Sequence, residues 1–160
     1  MMELGEKDFS YYWAIIMCPL LLLVLWNLAA LVTALVSYST YRSIFSWLPG
    51  LIVSIAIYGF IGWSTIKDHK GKASNAGWAG ALTGAIAGVI GAALGLVMIA
   101  AVPAVLTDAM ARAGTQAVSE ATMKNMMLVG GLVGFVTGPL FGGLVGGLIS
   151  WIAGLIALKN

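Results

Sequence analysis

Four runs of apolar residues, at 13–36, 44–66, 76–106 and 126–158, contain no Asp, Glu, Lys or Arg, so every charge in the chain falls between or outside them. At 1.5 Å of rise per residue, about 20 residues cross a hydrocarbon core of about 30 Å, and each run is long enough. None shows the one-sided polar stripe that a surface helix of a soluble domain carries. The pattern predicts an all-α integral membrane protein, a bundle of four transmembrane helices forming one membrane domain over residues 1–160.

The segments between the runs set the connections. The first run is too long for the core of a cleavable signal, and Glu3, Glu6 and Asp8 outnumber Lys7 before it, so this segment is expected to stay on the mature protein. Pro49 falls in the first turns of the second run, where a missing N–H matters little, and the first two spans are expected to form a tight hairpin. The stretch 67–75 is the most polar of the chain and reads as a loop that caps the next helix. The third run exceeds one straight span, so it either tilts or continues beyond Pro103. The stretch 107–125 reads as a helical loop at the outer surface: Asp108 and Arg112, then Glu120 and Lys124, are acid-before-base pairs at i,i+4, Ala109, Ala113, Ala117 and Ala121 share one side, and Gly114 is the expected break.

Charge placement adds an orientation. Lys7, Lys67, Lys70, Lys72 and Lys159 flank one side of the spans, and Arg42, Arg112 and Lys124 the other, so the 67–75 loop and both termini are expected in the cytoplasm, with Asn160 beside Lys159 at the end. Tyr11, Tyr12, Trp13, Trp63, Trp78 and Trp151 fall near the inner boundary, Tyr38, Tyr41 and Trp47 near the outer. The net charge of +2 is too small and too local to suggest nucleic acid, and the partner implied first is the lipid bilayer.

The one strong constellation is glycine. The third span carries Gly77, Gly80, Gly84, Gly88, Gly91 and Gly95 on one face, and the fourth carries Gly130, Gly134, Gly138, Gly142 and Gly146. Lipid is as apolar as a leucine, so spans associate where small residues let backbones approach, and both faces read as glycine zippers. Their constant offset hints at an inverted repeat, although any two glycine-rich spans align about as well. Gly131, Gly143, Gly147 and Gly154 lie off the main stripe, and Gly143 and Gly147 are assigned to a second interface outside the chain. The first two spans, rich in branched and aromatic residues, suit the outside of the bundle.

Candidate chemistry is sparse. The length, the four spans and the glycine-rich helices resemble the four-helix proteolipid subunits of rotary ATPases. That resemblance implies a carboxylate at mid-membrane, and none of the six acidic residues lies inside a predicted span, so membership is rejected. Cys18 has no partner cysteine and reads as a small buried apolar residue; His69 reads as a solvated loop residue. Gly71-Lys72 lacks the rest of a phosphate-binding loop, no nucleophile sits beside a base, and no metal or cofactor is implied. Among Asn27, Thr33, Ser54, Tyr58, Thr83 and Thr137 inside the spans, Asn27 is the most polar and is expected to bond across helices or to its own backbone. Lys67, Lys70 and Lys72 set topology and are candidates for anionic headgroups. An excess of packing surface over chemistry points to a non-enzymatic structural or accessory subunit, a homo-oligomer or part of a larger membrane complex; the alternative is an oligomeric channel, pore or uncoupled carrier.

Overall fold

The computed structural model describes residues 3–4, 7–45, 47–113 and 119–159. Four of its helices are long and apolar enough to cross a membrane, which makes the chain a multi-pass helical membrane protein by length and composition. A two-stranded antiparallel ladder, β1 (Glu3–Leu4) and β2 (Lys7–Asp8), pairs Glu3 with Asp8 and leads into α1 (Phe9–Val36). The first span begins earlier than its apolar run because Asp8 caps it: the carboxylate accepts the Tyr11 N–H at 3.1 Å.

The first connection is not a tight hairpin. Ser37 ends α1 and caps a short helix, α2 (Tyr38–Ile44), along which Tyr38, Tyr41 and Phe45 stack at centroid separations of 5.6 and 6.1 Å. Residues three and four apart share a helix face, so these rings add a stacked ridge that hydropathy alone does not reveal. The second span is α3 (Trp47–Lys67). Its exit is a compact turn: the His69 N–H returns to the Ser64 carbonyl and the Gly71 N–H to the Thr65 carbonyl at 2.8 Å. Lys70 takes the left-handed conformation, φ 52°, at which a glycine would be unstrained.

The third run divides at its proline. Helix α4 (Ala73–Ala101) closes on Val102, whose N–H bonds to the Met98 carbonyl, and α5 (Pro103–Ala113) begins at the next residue. Proline pushes the preceding residue out of the helical region and suits the first position of a new helix. The expected surface helix is interrupted at Ser119, whose hydroxyl accepts the Thr122 N–H as a cap. Gly114, Thr115, Ala117 and Asn160 lie outside the described residues, as do Glu6 and the side chain of Ala113.

The fourth span, α6 (Glu120–Lys159), has 40 residues and is about 60 Å long, twice the hydrocarbon thickness. Its first turns hold Glu120, Thr122, Lys124 and Asn125, so the helix begins well before its apolar run and is longer than one crossing needs.

Within the bundle α4 packs against α6, α1 and α3. A buried cluster of Tyr12, Ile15, Ile16 and Leu23 from α1, Tyr58 and Ile61 from α3, and Ala79 from α4 forms the core. The start of α1, the turn after α3 and the last turns of α6 share one end: the Tyr11 hydroxyl donates to the His69 carbonyl at 3.4 Å, and Gly154 lies against Ala73. Helices α2 and α5 and the start of α6 form the other, where Arg42, Arg112 and Met127 line one groove. Leu21, Leu25, Ile55, Val136 and Leu144 point outward, as lipid-facing side chains do. Cys18 is exposed among them, not buried: the inward face of α1 is taken by Ile15, Ile16 and Pro19.

Candidate functional site

Helices α4 and α6 run antiparallel and meet backbone to backbone. Gly80 faces Gly146, Gly84 faces Gly142 and Gly88 faces Gly138. A Cβ added at Gly84 would fall on the Gly142 carbonyl; one at Gly88 would lie 2.5 Å from the carbonyl carbon of Gly138 and 2.6 Å from the nitrogen of Pro139. The neighbours there are backbone atoms, which cannot swing aside as a side chain can. Spacing by four keeps each set on one face, and opposite chain directions match the two sets pair by pair.

The remaining glycines singled out in the sequence go elsewhere. A Cβ at Gly134 would make ordinary contact with Ala92 at 3.6 Å, and Gly131 meets the Leu96 side chain. Nothing lies within 4 Å of such an atom at Gly95 or Gly130, and at Gly91 only the Asn27 amide oxygen reaches 4.0 Å. Gly143 and Gly147 lie on the flank of the same seam, where an added Cβ would come 3.3 Å from the Ala81 carbonyl oxygen and 3.2 Å from the Ala81 Cβ respectively. They also line an open apolar groove with Gly77, Trp78, Leu144 and Trp151.

A third helix docks on this pair through residues that the glycine pattern did not single out. Gly62 of α3 is buried against the Ser150 carbonyl and Ala153, and the Ser150 hydroxyl donates to the Tyr58 carbonyl at 2.9 Å. The Tyr58 ring covers Gly146. The signal was present: Gly154 lies on the main stripe, not off it, because Gly138, Gly142, Gly146, Ser150 and Gly154 form one i+4 series once serine is counted as small.

Four polar side chains in the spans turn to their own helices. Ser54, Thr83 and Thr137 donate to the carbonyls four residues back, and the Asn27 Nδ2 donates to Leu23 at 2.7 Å. Asn27 sits with Trp26, Tyr41, Gly91 and Gly95 around a recess of about 150 Å³. Besides the Ser150–Tyr58 bond, Asn75 bonds across helices: its Nδ2 donates to the hydroxyl of buried Tyr12 at 3.0 Å, while its Oδ1 caps α4 by accepting the Lys72 N–H. Lys67, Lys70 and Lys72 gather around the turn after α3, Lys70 and Lys72 exposed and Lys67 half-buried. His69 is half-buried too, edge-on to the Tyr11 ring.

At the far end Asp108 joins α5 to α2. Its side chain, 16% exposed, accepts Arg42 at 2.9 Å, Arg112 at 2.9 Å and the Tyr38 hydroxyl at 3.2 Å. The i,i+4 partner Arg112 was legible in the sequence; Arg42 and Tyr38 were not, because 66 and 70 residues separate them from Asp108. Partial burial, and after it the Asp108 charge, raises the Tyr38 phenol above the ordinary tyrosine value, so the hydroxyl remains a donor. Among the described residues no group of His, Cys, Asp and Glu is placed to hold a metal. No protein-family model, curated protein or solved structure matches the chain.

Proposed function

We propose that the protein is a non-enzymatic structural subunit that assembles in the membrane, with copies of itself or with a larger complex, through glycine-rich helix faces. The observation that carries this reading is the division of the glycines. One set, centred on Gly84 and Gly142, sits in backbone contact inside the chain, in the manner of a glycine zipper. A second set, with Gly130 exposed and Gly143 and Gly147 lining an open groove on the flank of that seam, leaves helix backbone facing outward. A glycine in a helix costs about 1 kcal/mol relative to alanine, and outward glycines recover that only where another backbone comes close.

The test is the assembly state in mild detergent. Nothing lies within 4 Å of a Cβ at Gly130, which is exposed, so Gly130→Leu fits the monomer and covers the outward-facing helix backbone. The expected result is a normally inserted protein whose oligomer or complex is weakened on native gels. An unchanged assembly, together with reproducible conductance of the purified wild type in planar bilayers, would replace this reading with the channel.

The same reading places both termini in the cytoplasm, supported by the lysines at the α1, α3–α4 and α6 end of the bundle. On a Cys18→Ser background, Lys70→Cys is expected to be shielded from an impermeant thiol reagent in intact cells. Ser39→Cys, exposed on α2 at the opposite end, should be labelled. The reverse pattern inverts the topology.

A further inference from the structure

We infer that the groove between α2 and α5 is a binding site for one anionic phospholipid, with Arg42 and Arg112 on its phosphate and the apolar wall along its acyl region. This inference stands apart from the assembly reading: it concerns the other end of the groove-bearing surface and uses none of the glycines.

Asp108 draws two guanidinium groups to a single carboxylate. The cluster has two positive charges and one negative, with Arg42 on one Asp108 oxygen and Arg112 and the Tyr38 hydroxyl on the other. Each guanidinium has five N–H donors, and one nitrogen of each is engaged on the carboxylate. The remainder are available, since the side chains of Arg42 and Arg112 are 57% and 63% exposed. Two forked cations held side by side with unused donors and a net charge of +1 complement a phosphodiester, which carries a single negative charge and accepts from arginine in bidentate geometry.

The rest of the groove selects the source of that phosphate. It has a volume of about 450 Å³, and beyond the arginines and Asp108 its lining includes Phe45, Trp47, Val105 and Met127. Trp47 opens the span α3 and Val105 follows closely on the end of α4, so the polar-to-apolar boundary of the groove coincides with the end of the spans. An amphipathic Trp beside arginines at that level is the arrangement of a membrane interface. A free phosphate ion would use the arginines and leave the apolar wall empty; a phospholipid uses both. Headgroups bearing an ammonium are disfavoured, because the carboxylate lining the groove is already shared by two guanidinium groups and the cluster keeps a net positive charge.

Delipidated full-length protein in detergent, titrated with phosphatidylglycerol or phosphatidylcholine and read by native mass spectrometry, tests the site. The expected result is one phosphatidylglycerol held in preference to phosphatidylcholine, with affinity falling by about fivefold for each of Arg42→Gln and Arg112→Gln. Lys67→Gln/Lys70→Gln/Lys72→Gln, at the opposite end, should keep that molecule. Because the arginines also anchor α5, Val105→Phe serves as a second variant: it fills the groove, leaves the ion cluster intact, and should lower retention as well. Millimolar inorganic phosphate should not displace the lipid. Equal retention of both lipids, unchanged affinity in the arginine variants, indifference to Val105→Phe, or displacement by phosphate would each overturn the inference.

Discussion

Gly84→Leu is expected to lower the stability of the bundle by about 3 kcal/mol or more, the upper part of the range for overpacked sites. Its Cβ would coincide with the Gly142 carbonyl, so the whole of α6 must move away and the matched contacts at Gly80–Gly146 and Gly88–Gly138 open with it. In water such a loss is partly offset by hiding the larger side chain from solvent. In lipid that compensation is missing, because leucine is as well solvated outside the seam as within it. Gly95→Leu is the control. Nothing lies within 4 Å of its Cβ, and replacing glycine by leucine in a helix favours the folded state by up to about 1 kcal/mol. Reversible SDS titration of the two variants in mixed micelles, followed by tryptophan fluorescence, should separate them clearly. Similar midpoints would mean that the seam does not hold the bundle together.

How far this was legible from sequence differs by element. The four spans were visible because the bilayer imposes a length and an absence of charge that few other structures require. Span ends were less visible, since caps and helical extensions in the aqueous layer obey different rules. Asp8 pulls α1 outward and Ser119 starts α6 ahead of its apolar stretch. Spacing by four showed which glycines share a face, but not which of them meet a partner: Gly84 and Gly95 belong to one series, and only Gly84 is in backbone contact. That depends on where two helix axes converge, which composition does not encode.

Long-range polar pairs were the least legible. Asp108 has a satisfactory local partner in Arg112, so nothing in the sequence calls for Arg42, and Asn75 gave no sign that it bonds to Tyr12 rather than to solvent. Asn27, the more conspicuous amide, bonds to its own helix instead. A carbonyl four residues back is always within reach of a short polar side chain, whereas a partner on another helix must be positioned by packing.

The second large effect is expected on α3, where Gly62 and Gly59 lie less than one turn apart and should respond in opposite ways. A Cβ at Gly62 would meet the Ser150 carbonyl and the Ala153 side chain; at Gly59 it would meet nothing within 4 Å. Gly62→Leu must therefore separate α3 from α6, break the Ser150–Tyr58 bond and withdraw the Tyr58 ring from Gly146, at a cost of about 1–3 kcal/mol. Gly59→Leu should be neutral or slightly stabilising, by up to about 1 kcal/mol. Because α4 and α6 keep their own contacts, Gly62→Leu is expected to loosen one helix rather than unfold the bundle. Ser150→Cys on a Cys18→Ser background reports this directly, since Ser150 has no exposed surface. A membrane-permeant thiol reagent should label that cysteine slowly alone and with Gly59→Leu, and rapidly with Gly62→Leu. Slow labelling in all three proteins would show that α3 is held to the bundle by contacts other than the crossing at Gly62, Tyr58 and Ser150.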